Sequence, residues 1–204
     1  MQDLASKAGP VSPMPALTAR AGTWSAAALA CVVCGAFLVG LRPDAASLIA
    51  EPSFLIQAAL LLTAACLAAT ISLTLSVPGS SRRRTQVAGA VAALCWTASL
   101  AAAFVPETPF QSGMGIGCVR NVLVLSILPG AILFQNLRRA RPLQTEATGW
   151  VGAFGAASLA CLATRFICRN DSAAHLLVWH YLPVTAISLL GIALGRILFT
   201  SKPR

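Results

Sequence analysis

Long apolar stretches divide this chain of 204 residues, and they constrain its fold more than any other feature. An α-helix rises ~1.5 Å per residue, so about 20 apolar residues cross a hydrocarbon layer ~30 Å thick. The stretches do not alternate between apolar and polar residues, which favours helices over the strands of a membrane barrel. We therefore predict an all-α polytopic membrane protein, a bundle of six transmembrane helices. The predicted spans are residues 23–41, 54–76, 87–105, 115–135, 149–167 and 175–199.

The basic residues predict the orientation of the bundle. Only 10% of the residues are charged while 57% are hydrophobic, so the position of each charge is informative. With the amino terminus in the cytoplasm, eleven basic residues lie inside and four outside, in agreement with the positive-inside rule. The four outside are Arg42, Arg120, Arg165 and Arg169. This arrangement predicts a cytoplasmic tail at residues 1–22, a transmembrane domain at 23–200 and a second cytoplasmic tail at 201–204.

Two arginine clusters fall in the predicted cytoplasmic loops. They comprise Arg82, Arg83, Arg84, Arg138, Arg139 and Arg141. Such clusters contact the anionic headgroups of the lipid bilayer in the first place, and only in the second place offer a docking surface to an acidic partner. The net charge of +9 could suggest nucleic acid, but the basic residues are scattered between apolar stretches instead of sharing one face. We therefore predict no direct contact with nucleic acid.

Seven cysteines are many for this length, and the predicted topology separates them into two groups. Five fall within spans, where a thiol acts most simply as a small apolar packing residue. These are Cys31, Cys34, Cys66, Cys95 and Cys161. Cys31 and Cys34 have the spacing of a thiol oxidoreductase motif. We nevertheless interpret them as packing residues, because burial in hydrocarbon raises a thiol pKa and hides the thiol from substrate.

Cys118 and Cys168 fall at the same predicted outer face, because the fourth span begins there and the fifth span ends there. In a bacterial periplasm this compartment is oxidising. One interpretation is a permanent disulfide, which stabilises a fold by about 2–4 kcal/mol through loop closure. The other is a switchable dithiol that senses redox state or binds a soft metal ion, for which thiolates are preferred ligands. Spacing alone slightly favours the disulfide.

Two thiols do not complete a zinc site, so a metal would need further ligands. His175 and Asp171 are the nearest candidates along the sequence. His175 and His180 are five residues apart, which on an α-helix separates them around the axis instead of placing them on one face. We therefore interpret His180 as an interfacial or packing residue.

The sequence lacks the residues that mark most enzymes and transporters. It has no nucleotide-binding loop, no serine or carboxylate constellation and no Asp or Glu within a span that could relay protons. All six acidic residues fall in tails and loops. No cofactor is predicted. The alternative that stays open is a membrane thiol-disulfide oxidoreductase that works with a quinone.

Short characteristic segments stand near the ends of the spans, and one lies in the amino-terminal tail. They are Pro10-Val11-Ser12-Pro13, Gly40-Leu41-Arg42-Pro43-Asp44, Val77-Pro78-Gly79, Gly117-Cys118, Arg141-Pro142-Leu143, Cys168 with Asp171-Ser172, and Trp179-His180. In order and spacing, over nearly the whole chain, they resemble the NrsF family of negative regulators of sigma F. The resemblance implies a six-helix, non-enzymatic anti-sigma factor of the bacterial inner membrane.

The resemblance also implies a partner and a signal. Such a protein would hold an extracytoplasmic-function sigma factor at the membrane until a periplasmic metal or oxidant releases it. Cys118 and Cys168 match the two periplasmic cysteines that this family associates with signal response, which favours a sensing pair over a permanent disulfide. The expected sigma-factor contacts are Leu4, Pro10, Val11 and Pro13 in the tail and the arginines of the two clusters.

Overall fold

The structure, a computed structural model, describes residues 14–77, 79–80, 82–103 and 115–200. These residues form six long helices and, within the described ranges, no β-strand. The helices are α1 (Leu17–Val39), α2 (Pro52–Leu75), α3 (Arg82–Ala102), α4 (Ile116–Ala140), α5 (Thr145–Arg165) and α6 (Ala173–Phe199). All six are long and apolar enough to cross a membrane, which confirms the predicted all-α six-helix bundle.

Several helices extend beyond the apolar stretches from which the spans were predicted. α1 begins at Leu17, not at residue 23, and α4 ends at Ala140, not at residue 135. The reason is that backbone hydrogen bonding continues past the point where the side chains become polar. Residues 1–13, 104–105 and 201–204 of the predicted tails and third span lie outside the described residues.

Successive long helices run antiparallel, which gives the bundle two ends of different chemistry. Cys118 at the start of α4 and Cys168 after α5 meet at one end, where their sulfur atoms are 3.2 Å apart. We call this the cysteine end. The opposite end, where Arg196 Nε donates to Glu146 Oε1 at 2.8 Å, carries both arginine clusters. We call it the basic end.

The central helix is α5, since 78% of its apolar span is buried against 11% for that of α3. Small residues along α5 let α2, α4 and α6 approach it closely. At Gly149, an added Cβ would meet the backbone of Gly191 and Gly195 in α6. The contact between α5 and α6 is therefore close at the backbone level and leaves no room for a side chain.

The outer surface of the bundle is apolar. Leu38, Leu94 and Ile197 are 88%, 68% and 73% exposed, and many other leucine, isoleucine and valine side chains also point outward. A continuous apolar exterior of this kind is unfavourable in water and favourable against lipid chains. Cys34 belongs to this exposed surface, so its prediction as a packing residue within the bundle is wrong.

Two hydrogen bonds fasten α1 to α4. The buried indole of Trp24 donates from Nε1 to the carbonyl oxygen of Pro129 at 3.0 Å. Arg20, which is also buried, donates from Nη2 to the carbonyl oxygen of Asn136 at 3.4 Å. Both donors lie in the first turns of α1, so this connection belongs to the half of the bundle nearer the basic end.

Candidate functional site

Two thiols and two imidazoles converge at the cysteine end. Cys118 lies in the first turn of α4, Cys168 follows α5, and His175 and His180 lie near the start of α6. The Nε2 atom of His175 lies 3.3 Å from Cys168 Sγ and 3.6 Å from Cys118 Sγ. With His180 included, one ligand atom from each of the four residues lies within 4.8 Å of the others. We call these four residues the Cys₂His₂ cluster.

A π-helical turn at Leu177–Tyr181 brings both histidines into the cluster. Residues five apart are separated by roughly 140° around an α-helix, whereas a turn with i→i+5 hydrogen bonds brings them close to alignment. The ring centroids of His175 and His180 are accordingly 5.6 Å apart. The prediction that the two histidines lie on different faces is therefore wrong. The sequence feature that could have indicated the π-helical turn is Pro183, because it has no backbone N–H to donate to the carbonyl oxygen of Trp179.

His180 is the most deeply enclosed member of the cluster. Its side chain is fully buried, and neither ring nitrogen makes a hydrogen bond of normal geometry within the described part of the chain, although the ring is close enough to Cys168 to help lower the pKa of that thiol. An unsatisfied buried polar atom costs roughly 1–3 kcal/mol. A cation held between this ring and the neighbouring sulfur atoms would provide the missing partner, which makes the cluster chemically suited to a metal ion.

Cys168 lies in the connection after α5, outside the spanning helices. The thiol of Cys118 donates a hydrogen bond to its sulfur, and this bond lowers the pKa of Cys168 against the opposing effect of burial. The thiolate is the form of cysteine that binds metals and attacks disulfides. All seven cysteines of the chain are free thiols in the structure, so both reactions are open to this pair.

An ion-pair network borders the cluster. Asp171 accepts a hydrogen bond from Arg42 Nη1 at 2.7 Å, and its other carboxylate oxygen lies 3.5 Å from Arg165 Nη2. Both arginines are buried. Because its carboxylate faces two guanidinium groups, Asp171 does not point at the sulfur atoms. The prediction of Asp171 as a further ligand is wrong, because among the described residues it is His180, not Asp171, that lies within 4.8 Å of the two thiols and His175.

Gly115 is a residue of the site that sequence reasoning overlooked. It is buried directly before α4, and an added Cβ would lie 2.6 Å from Trp179 Cβ and 2.8 Å from His175 Cε1. The missing side chain lets the start of α4 pack against α6, which keeps His175 close to both sulfur atoms. The only local signal is the pair of glycines, Gly115 and Gly117, immediately before Cys118.

Comparison with known proteins identifies the family. A family model described as "NrsF: Negative regulator of sigma F" matches residues 4–200, which is nearly the whole chain. The chain belongs to the NrsF family. This confirms the resemblance drawn from the sequence, and the family description indicates a negative regulator of a sigma factor. No curated protein and no solved structure matches the chain.

The expected partner contacts of this NrsF protein are distributed over both described and undescribed residues. The tail residues Leu4, Pro10, Val11 and Pro13 lie outside the described residues. The exposed arginines at the basic end are Arg82, Arg83, Arg84, Arg138, Arg139 and Arg141. Arg141 follows α4 in the left-handed conformation, with φ at 49°, and so ends that helix. The NrsF chain thus carries its Cys₂His₂ cluster and its arginine clusters at opposite ends of one bundle.

Proposed function

We propose that this NrsF protein is an anti-sigma factor of the bacterial inner membrane that binds an extracytoplasmic-function sigma factor at the basic end. In this proposal both tails and the basic end face the cytoplasm, and the cysteine end faces the periplasm. The sigma factor stays bound until a metal or oxidant reacts with the Cys₂His₂ cluster. The observation that carries the proposal is the convergence of two thiols and two imidazoles at the end opposite the arginine clusters.

The geometry of the cluster favours a metal signal. Tetrahedral zinc, with Zn–S of about 2.3 Å and Zn–N of about 2.0 Å, separates its ligand atoms by roughly 3.3–3.8 Å. Cys118 Sγ lies 3.6 Å from His175 Nε2, within this range, whereas the two sulfur atoms, 3.2 Å apart, would have to separate by roughly 0.5 Å to bind the ion. Thiolate and imidazole ligands suit zinc and the softer ion Cu(I). Oxidation of the two thiols to a disulfide, with two electrons and two protons passing to an oxidant, is the other possible signal.

The partner is tested by co-purification. Tagged protein, extracted from membranes that contain a co-expressed extracytoplasmic-function sigma factor, is expected to retain that sigma factor through size-exclusion chromatography. The matched comparison is the variant in which Arg138 and Arg139 are both replaced by Glu, which reverses charge at the basic end and leaves the cysteine end intact. We expect this variant to retain less sigma factor. Wild-type protein that retains none would refute the proposed partner.

Substitution of the two histidines tests metal binding. Replacing His175 or His180 with Ala is expected to weaken zinc binding by about 100-fold or more. Loss of a group that only hydrogen-bonds to a metal ligand already lowers metal affinity by about 10–100-fold. Competition of purified protein against a chromogenic chelator measures the affinity. Cys66→Ser is the matched control, because this thiol lies within a span and is expected to leave the affinity unchanged. Zinc affinity that survives both histidine substitutions would exclude them as ligands.

Gly115 provides a second, independent test of the cluster. Gly115→Ala forces Trp179 and His175 away from the start of α4, so it is expected to weaken zinc binding by about 10–100-fold, as other losses of ligand orientation do. Gly117→Ala is the matched control, because an added Cβ there meets nothing within 4 Å. Equal zinc affinities for the two variants would contradict the packing described above.

The oxidoreductase alternative makes a different prediction. Such an enzyme would oxidise a dithiol substrate repeatedly and pass the electrons to a quinone. Membership of a family of sigma-factor regulators supports a role without turnover. Purified protein is therefore expected to react with oxidant once, through its own two thiols, and catalytic turnover of dithiol with quinone would favour the enzyme.

A further inference from the structure

Arg42 lies in the connection that follows α1, and its guanidinium group donates hydrogen bonds on two sides. On one side, Nε and Nη2 donate to the two carboxylate oxygens of Asp44 at 2.7 and 2.8 Å. On the other, Nη1 donates to Asp171 Oδ2 at 2.7 Å and to the carbonyl oxygen of Cys168 at 2.9 Å. The residue is only 7% exposed. Arg42 therefore joins the end of α1 directly to a residue of the Cys₂His₂ cluster.

The backbone strengthens the same connection. The amide of Arg42 donates to the carbonyl oxygen of Phe166 at 3.0 Å. The connection after α5 is thus held at Phe166, Cys168 and Asp171 by a single residue of the α1 end. The hydrogen bond with Asp44, followed by that with Asp171, raises the pKa of Arg42, so the guanidinium stays charged at every physiological pH.

Reaction at the cluster changes the distance between the sulfur atoms of Cys118 and Cys168. These two atoms lie 3.2 Å apart. A tetrahedral zinc ion would set this distance at roughly 3.7 Å, and a disulfide bond would set it at about 2.05 Å. Either change displaces the sulfur of Cys168 relative to that of Cys118 in α4, and the carbonyl group of Cys168 is one of the groups to which Arg42 donates a hydrogen bond.

The other end of α1 lies where the partner is proposed to bind. Trp24 and Arg20, near the start of α1, hydrogen-bond to backbone carbonyl groups of α4, and the chain before α1 leads to the amino-terminal tail. If Arg42 moves, α1 is thus expected to move with it, and α1 is hydrogen-bonded to α4 near the basic end. α1 provides a physical route between the two ends of the bundle.

We propose that Arg42 is the positioning residue of the sensor: it orients Cys168 toward Cys118 and passes the displacement of Cys168 to α1. The coupling of Cys168 to α1 rests on the function proposed above, whereas the orientation of Cys168 by Arg42 does not depend on it. The two parts therefore need two measurements. The variants are Arg42→Gln, which removes the charge, and Arg42→Lys, which keeps the charge but loses the planar fork. Arg169→Gln is the matched control, because Arg169 is an exposed arginine in the same connection.

The first measurement is the rate at which diamide forms the disulfide between Cys118 and Cys168, followed by maleimide gel shift in protein whose other five cysteines are replaced. Arg42→Gln is expected to slow this rate about tenfold, Arg42→Lys less, and Arg169→Gln not at all. This result does not depend on any sigma factor or metal. An unchanged rate in Arg42→Gln would overturn the positioning role.

The second measurement is the release of co-purified sigma factor at saturating zinc. Arg42→Gln is expected to retain sigma factor without zinc as the wild type does, to bind zinc with affinity weakened by about tenfold at most, and to release several-fold less of the sigma factor. Wild-type release from Arg42→Gln at saturating zinc would overturn the coupling. A wild-type protein that binds no sigma factor or no zinc would refute the proposed function, whereas the disulfide rate would still decide the role of Arg42. If Arg42→Gln does not accumulate in membranes, Arg42→Lys is scored by the same two criteria.

Discussion

A variant that carries both Cys118→Ser and Cys168→Ser is expected to lose zinc binding below detection and to keep its sigma factor bound when metal or oxidant is added. The reason is that a serine hydroxyl stays protonated at neutral pH and is a poor ligand for soft metals, so two of the four proposed ligands are lost. Zinc competition with purified protein and a reporter of sigma-dependent transcription in cells measure the two effects. Induction that equals that of the wild type would remove the sensing role.

The matched control replaces two cysteines elsewhere in the bundle. A variant with Cys34→Ser and Cys66→Ser changes the same number of thiols but leaves the Cys₂His₂ cluster intact, so its zinc binding and induction are expected to equal those of the wild type. The orientation is tested with a membrane-impermeant maleimide on intact cells of this control strain, and the strain that lacks Cys118 and Cys168 gives the background labelling. We expect Cys118 and Cys168 to react from outside after mild reduction, and labelling only after lysis would place them in the cytoplasm.

Gly149→Ala is expected to destabilise the bundle by about 3 kcal/mol or more, or to prevent its assembly, because an added Cβ would meet the backbone of α6. The neighbouring atoms include Gly195 Cα at 2.8 Å, and a backbone atom moves only if the whole helix moves. Within an isolated helix alanine is favoured over glycine by about 1 kcal/mol, so the sign of the measured change decides which effect dominates. Thermal unfolding of the purified protein in detergent, followed by size-exclusion chromatography, measures the change.

Gly89→Ala is the matched control for this prediction. Gly89 is also a helical glycine, but it lies in α3 and an added Cβ there meets nothing within 4 Å. We expect its stability to be unchanged or slightly increased, as helix propensity alone predicts. A Gly149→Ala protein that is as stable as Gly89→Ala would show that α5 and α6 are further apart than described.

The six-helix architecture could be predicted because the bilayer leaves a polypeptide few options. In lipid every backbone N–H and C=O needs an internal partner, so each apolar stretch long enough to cross becomes a helix. The shared location of Cys118 and Cys168 could also be predicted, because alternate connections of an antiparallel bundle lie at the same end. The distance between their sulfur atoms could not, since it depends on how closely the start of α4 and the end of α5 pack.

His180 and Asp171 show where prediction from the sequence failed. An α-helical interpretation of α6 separates His175 from His180, and only the π-helical turn at Leu177–Tyr181 brings them together. Asp171 is close to Cys168 in the sequence and was therefore predicted as a ligand. Its carboxylate instead binds Arg42, which is 129 positions away along the chain.

The sequence by itself determined the class of fold, the number of helices and the end of the bundle at which the two thiols lie. All three depend on the length and order of apolar stretches, which can be counted along one chain. Only the tertiary structure decided that His180 joins the thiols, that Asp171 pairs with Arg42, and that Gly115 makes room for His175. Each of these depends on the packing of helices that are distant in sequence, and such contacts leave no periodic pattern in the residues that make them.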